Sequence, residues 1–298
     1  MKLVDVDCPI CETADNYRVL YKKNFNPSDL NTKTFSARRI PDKIHYQLVR
    51  CNKCGLVRSN PVAKSNILNK LYKKSFFTYE EEIDNLTDTY ISSVLPILKT
   101  LPKKARILEV GCGNGFMLNK IHKLGYTNVF GIEPSIDAVR KADKRIKNNI
   151  KISILKRGLF YPARFDLIFF FQTFDHIPNP NTFLSVCYSL LKPKKYILSF
   201  NHNVDSFSSK FFGEKSPIID IEHTFLYDAH TMQGILQKNN FKVIKSYSPW
   251  STVSLKHLLW LMPFPTSVKQ YILNTKHRFL DRNIYIKLGN ICVTAQKI

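Results

Sequence analysis

The chain has 298 residues, enough for one large domain or a domain plus a small one. With 44% hydrophobic and 12% aromatic residues it reads as globular, which excludes a disordered chain. Its formal charge of +22 points away from cationic partners and toward polyanions: nucleic acid, an acidic membrane surface or a phosphorylated small molecule.

The distribution of charge narrows that list. Residues 1–60 carry 11 − 6 = +5, residues 61–230 carry 24 − 16 = +8, and residues 231–298 carry 10 − 1 = +9. No run of five basic residues occurs, so general surface chemistry is the plainest reading of the charge, a phosphorylated or nucleotide-linked substrate the next, and nucleic acid the least favoured. The opening MKLVDVDCPI contains Asp5 and Asp7 and lacks the apolar core of a signal peptide. HLLWLMPFP (257–265) is too short to span a bilayer. A soluble, cytoplasmic protein without a transmembrane segment is expected, its seven cysteines reduced unless a metal takes them.

In chain order, the first feature is two cysteine pairs, CPIC (Cys8, Cys11) and CNKCG (Cys51, Cys54). Each C-x-x-C turn sets two thiolates on one side of a tight loop, and two turns complete a tetrahedral site suited to zinc. Gly55 lets backbone amides turn toward the sulfurs, whereas Glu12 follows the first pair. Four thiolates leave no open position, so a structural metal is expected. The 39 intervening residues include NPSDLNTKTFSARRIPDK, read as a surface loop or flap. The expected organisation is a zinc-binding segment over 1–60, a helical linker and cap over 61–100, and a main domain over 101–298.

SNILNKLYKKSF and EEEIDNLTDTYISSVLPILKTL have helical spacing. Tyr79 and Tyr90 are candidates to reach a ligand, with plain helix packing as the other reading. ARILEVGCGNGFMLNKI (105–121) then reads as strand, glycine turn and helix. Gly111, Gly113 and Gly115 let backbone approach a ligand, and the helix start offers free amides. NVFGIEPS (128–135) is a second strand, ending in Glu133, an acid placed to accept two ribose hydroxyls. The spacing is G-x-G-x-G, not that of a dinucleotide site. Glu109 before the turn suits a ligand with a cationic amino group and a sulfonium, not a pyrophosphate.

EVGCGNG followed by GIEPS resembles the S-adenosylmethionine site of the class I methyltransferases. RFDLIFFFQTFDHIPNPNTFLSVCYSLLKPKKYILSF (164–200) resembles that family's fourth strand, loop, helix and fifth strand. The resemblance implies an α/β fold: a Rossmann-like sheet of about seven strands, the last antiparallel, with the small zinc-binding segment in front. It implies that Glu109 and the glycine turn hold the methionine part and that Glu133 holds the ribose. Gln172, Phe174, Asp175 and His176 would line the pocket mouth, and Tyr90 is a candidate to reach the methionine carboxylate or the substrate. ILKRGLF (154–160) lacks the acid many relatives use for adenine, so backbone and apolar contacts are expected there.

The front half resembles a narrower set, the bacterial methyltransferases with a two-CxxC zinc segment. These include sugar C-methyltransferases acting on nucleotide-linked deoxysugars, and members linked to surface glycans. Toward the end, YDAHTMQGILQKNNF is a helix capped by Asp228 or Thr231, and FKVIKSYSP is a strand. Residues 251–282 interrupt the last strand pair with an apolar, helix-like insert. It is read as a lid or dimer surface, with a peripheral membrane contact as the lesser reading.

IEHTFLY (221–227) sets Glu222 beside His223 among apolar neighbours, where charged groups need partners. A hydroxyl or enolisable carbon acceptor needs a base, and His223 has a suitable intrinsic pKa. Glu222 would orient it, act as a base itself, or bind a sugar hydroxyl. His176 and His202 are rival bases, and a structural role for His223 is the plain alternative. In an extended strand residues 222 and 223 point to opposite faces, so both reach one pocket only at a bend. The expected function is methyl transfer from S-adenosylmethionine to a nucleotide-linked sugar or glycan precursor. The competitors are an RNA methyltransferase that reads RNA with its zinc segment, and a non-catalytic binding protein.

Overall fold

A computed structural model describes residues 3–26, 44–75, 82–262, 264–274 and 279–298. Seven strands form the central sheet: β1 (Ile107–Val110), β2 (Val129–Glu133), β3 (Ile150–Ile152), β4 (Phe165–Phe171), β5 (Leu191–His202), β6 (Phe241–Tyr247) and β7 (Asn290–Lys297). Their order is β6-β7-β5-β4-β1-β2-β3. Strands β1 to β5 pair in parallel, while β7 runs antiparallel to both β5 and β6.

The physical cause of the parallel core is visible in β4. All seven of its residues are buried, because helices cover both faces of a parallel sheet. Chain order proceeds outward from β1 to β3, then returns to the other side of β1 with β4. The carboxyl ends of β1 and β4 therefore flank a topological switch point, where ligands of open α/β sheets bind.

Helices pack where their apolar faces direct them. The helix Ile83–Leu98 buries Tyr90, Val94 and Leu98, and the Tyr90 ring stacks on Phe171 at 4.2 Å. The helix Ala229–Lys238 is capped by Asp228 and Thr231 together: the Thr231 N–H donates to Asp228 Oδ1 (2.7 Å) and the Asp228 N–H to Thr231 Oγ1 (2.9 Å).

The cysteine-bearing segment joins this body through backbone pairing. A four-stranded antiparallel sheet runs in the order Phe225–Leu226, Val57–Ser59, Leu48–Cys51, Tyr17–Tyr21. Phe225 pairs with Arg58 and Leu226 with Val57. Cys8, Cys51 and Leu56 lie in one apolar cluster with Phe174, Phe225 and Tyr227. The expected flap between the cysteine pairs falls mostly on 27–43, outside the described residues, as does Tyr79.

The insert after β6 carries helices as the helix-like reading expects, but within a strand pair that reading did not include. It opens with the strand Ser251–Ser254, which pairs antiparallel with Asn283–Ile286, and the helices Leu255–Leu261 and Thr266–Asn274 lie between. Alternation in STVS is too short to stand out beside the apolar run that follows it. Among the described residues no helix is long and apolar enough to cross a membrane.

Candidate active site

Two cavities meet at the switch point. The first, of about 310 Å³, is lined by Gly111 and Gly113 after β1, Glu133 at the end of β2, and Ile154 and Leu155 after β3. Gln172 and His176 after β4 close it on the inner side. The second, of about 270 Å³, shares Gln172 and His176 and adds Tyr90, His202, Glu222 and His223.

Local backbone chemistry shapes the first cavity. Gly111 has φ +74°, and a Cβ there would lie 2.4 Å from Thr173 Oγ1, so only glycine lets the β1 and β4 ends approach this closely. The Glu133 carboxylate accepts from the Gly113 N–H through Oε2 and from the Ser135 N–H through Oε1, both at 2.8 Å. Two backbone N–H donors fix its orientation. Glu109 lies buried in β1, before the turn. Ile154 and Leu155 line the wall where the sequence offers no acid, so an apolar adenine wall fits there.

The helix Ser65–Lys73, which follows the second cysteine pair, also reaches this cavity. Its Tyr72 hydroxyl lies 2.9 Å from His176 Nδ1 and donates to the Glu222 carbonyl at 3.4 Å. Burial, reinforced by the nearby Glu222 and Asp175 carboxylates, pushes the Tyr72 phenol well above its ordinary pKa, so it stays a neutral hydroxyl. Sequence reasoning missed Tyr72. One aromatic in LYKK carries no signal until the docking of its helix is known.

The second cavity holds the titratable groups. Glu222 and His223 both line it, because the chain bends there. The Glu222 N–H donates to Asp220 Oδ1 (3.1 Å) and the His223 N–H to the Asp220 carbonyl (3.2 Å). His223 Nδ1–H donates to the Ile218 carbonyl at 2.8 Å, which leaves Nε2 as the acceptor nitrogen. That nitrogen faces Asp175 Oδ2 at 3.9 Å. Asp175 is 1% exposed, and its Oδ1 accepts from Asn201 Nδ2 at 3.0 Å. The His176 and His202 rings lie 4.7 and 5.3 Å from the His223 ring. Burial lowers the His202 pKa to about 4 despite the opposing pull of Asp175, so His202 is a neutral neighbour and a poor proton acceptor.

Four expected site residues, Glu109, Gly115, Phe174 and Asp175, line neither cavity. Tyr90, a candidate for the methionine carboxylate or the substrate, lines the second cavity and not the glycine-turn cavity, its ring stacked on Phe171. Phe174 is fully buried in the core, and of the four pocket-mouth residues only Gln172 and His176 line the cavities. Gln172 holds φ +46°, a strained conformation for a side-chain-bearing residue, and its Nε2 donates to Asn290 Oδ1 at 3.0 Å.

Cys8, Cys11, Cys51 and Cys54 come together, with all four sulfurs within 4.8 Å of one another and the Cys8 and Cys54 sulfurs 3.5 Å apart. In a tetrahedron of ~2.3 Å zinc–sulfur bonds the sulfurs sit roughly 3.8 Å apart, so the four thiols fit such an ion.

Comparison with known proteins decides the family. Residues 80–246 match the family described as a methyltransferase domain. The chain belongs to this methyltransferase family. Among similar proteins, the ubiquinone biosynthesis O-methyltransferase of Colwellia psychrerythraea is 28% identical over 110 residues, covering 34% of this chain and 44% of the relative. The mitochondrial ubiquinone biosynthesis O-methyltransferase of Saccharomyces cerevisiae is 28% identical over 216 residues, covering 68% of this chain and 61% of the relative. The chain spans about half the length of the bacterial relatives, between 44% and 50%. A candidate methyltransferase from Bacillus halodurans C-125 shares the fold at a TM-score of 0.50 and 16% identity, covering 69% of this chain and 99% of that one.

Proposed function

We propose that this methyltransferase-family chain moves the methyl group of S-adenosylmethionine to an oxygen or an acidic carbon of a small molecule. The observation that carries the reading is the pair of cavities sharing Gln172 and His176: a glycine-and-acid cavity on one side, a histidine-and-acid cavity on the other. Bound in the first, S-adenosylmethionine would supply an electrophilic methyl on a sulfonium. Glu133 would accept its ribose hydroxyls, Gly111 and Gly113 would hold the methionine part with Glu109 behind them in β1, and Ile154 and Leu155 would cover the adenine.

The acceptor belongs in the second cavity. Methyl transfer is an in-line displacement in which alignment supplies most of the acceleration, but a hydroxyl or carbon acceptor must also lose a proton. His223 Nε2 takes that proton. Its Nδ1–H is already fixed on Ile218, and the imidazolium that forms has the Asp175 carboxylate at 3.9 Å. Glu222 would accept a hydroxyl of the acceptor, and His176, which lines both cavities, would stand between the two ligands.

For the acceptor we infer a nucleotide-linked sugar or glycan precursor. Support comes from the resemblance of the front half to sugar methyltransferases and from the +22 charge, which suits a phosphorylated acceptor. O-Methyl transfer in the biosynthesis of a small molecule is also what the relatives' names describe. Cys8, Cys11, Cys51 and Cys54 hold a structural zinc in this reading.

The test is a label partition. The protein is incubated with methyl-labelled S-adenosylmethionine and an extract of its source cells, with and without RNase. Label in small anionic molecules, indifferent to RNase, is expected. Label in RNase-sensitive polymer would replace this reading with an RNA methyltransferase, and no transfer would favour a binding protein.

A further inference from the structure

We propose that the four-cysteine cluster anchors the acceptor wall, fixing His223 through Arg58 and Ser59, and that its metal is needed for that wall more than for the donor cavity. The inference rests on the zinc reading above and goes beyond a merely structural metal by naming what the metal positions.

The connection runs through contiguous contacts. Cys51 ends the strand Leu48–Cys51, whose residues Leu48, Val49 and Arg50 pair with Ser59, Arg58 and Val57, and the Cys51 N–H donates to the Leu56 carbonyl at 2.9 Å. Arg58 in that second strand is 1% exposed. Its Nε–H donates to the Val6 carbonyl (2.8 Å) and its Nη2–H to the Ala14 carbonyl (3.1 Å), the two ends of the loop that carries Cys8 and Cys11. A buried guanidinium thus ties the first cysteine loop to the strand that follows the second.

The same strand holds the acceptor wall. The Ser59 N–H donates to the Thr224 carbonyl and its Oγ–H to the His223 carbonyl, both at 2.9 Å. From the other side the Thr224 N–H donates to the Asp175 carbonyl at 2.9 Å. The peptide between His223 and Thr224 is therefore clamped between the cysteine segment and the loop after β4. The pairing of Val57–Ser59 with Phe225–Leu226 is only two residues long, too short to be stable alone.

The donor cavity has other supports. Gly111 N–H donates to the Ile132 carbonyl at 2.8 Å, and Glu133 is held by Gly113 and Ser135, all within the main sheet and its turns. Four thiols without a cation leave the two cysteine loops joined by hydrogen bonds, from Arg58 to Val6 and Ala14, from the Val6 N–H to Asn60 Oδ1 and from Asn52 to Asn16, so Val57–Ser59 would lose its fixed position before β1 and β2 do.

Hydrogen exchange of the full chain, before and after chelation, tests this. Metal analysis first establishes the occupied state; a metal-free folded protein would remove the zinc reading itself. After chelation, exchange over 48–59 and 222–226 is expected to rise about tenfold or more, with 107–113 and 129–133 unchanged. Unchanged protection over 222–226 would overturn the proposal, as would a uniform loss over both halves, which would make the metal a prop for the whole fold. Ser59→Ala, still metal-loaded, is expected to raise exchange at 222–226 roughly threefold, and Ser59→Thr, which keeps the hydroxyl, to restore it. Equal exchange in both variants would also count against the clamp.

Discussion

Gly111→Ala probes the junction of β1 and β4 most sharply. The new Cβ would meet Thr173 Oγ1 at 2.4 Å and Thr173 Cγ2 at 2.7 Å, at a residue with φ +74°. Two separable costs follow. The left-handed backbone costs about 1–2 kcal/mol for a residue with a Cβ. Forcing Thr173 aside costs about 1–3 kcal/mol of overpacking, and Thr173 resists because its Oγ1–H donates to the Phe171 carbonyl at 2.9 Å. Together they give a loss of about 2–5 kcal/mol in urea unfolding. Thr173→Ala removes the two clashing atoms, so Gly111→Ala/Thr173→Ala should recover the packing part and leave about 1–2 kcal/mol of backbone strain. S-Adenosylmethionine affinity should follow the same pattern by calorimetry. A Gly111→Ala protein within 0.5 kcal/mol of wild type, or a pair of strictly additive substitutions, would refute the close approach of the two strand ends.

Asp175→Asn should leave S-adenosylmethionine binding intact and slow methyl transfer about 10- to 100-fold, since the charge facing His223 Nε2 is gone; an unchanged rate would remove Asp175 from the chemistry. His202 gives a pH signature. Its pKa falls from 6.5 to about 4 on folding, so its contribution to stability is complete above 6.5 and is lost as pH falls toward 4. The effect is at most about 3 kcal/mol, reduced because the ring is partly open to the second cavity. Urea titrations should therefore show a flatter acid decline for His202→Gln than for wild type, and parallel declines would contradict the burial argument. Elemental analysis should find about one zinc per chain, lost in Cys51→Ser, and persistent metal in that variant would break the four-cysteine assignment.

The glycine-turn cavity was legible because it is local in sequence. Gly111, Gly113, Gly115 and Glu133 sit on one strand-turn-helix-strand unit, and Phe165–Phe171 announces a doubly covered strand by composition alone. The cysteine spacing was legible for the same reason. The second cavity was not, because distant segments build it. Asp175 and His223 meet across two loops, and Tyr72 reaches His176 only once its helix docks. The two-residue strand Phe225–Leu226 has no period to read, so its pairing with Val57–Ser59 was invisible. Glu222 and His223 were singled out by chemistry, yet their shared cavity depends on the Asp220 bend. Tyr90 could be placed on a helix, but which cavity that face meets is a matter of packing against Phe171.

The most direct test of the account separates binding from transfer. Glu133→Ala and His223→Gln would each be measured for S-adenosylmethionine affinity by calorimetry and for label transfer into the small anionic fraction. The account predicts that Glu133→Ala loses most of its affinity, while His223→Gln binds like wild type and loses at least about 100-fold in transfer. Transfer by His223→Gln at the wild-type rate would contradict the assignment of the second cavity as the place where the acceptor gives up its proton.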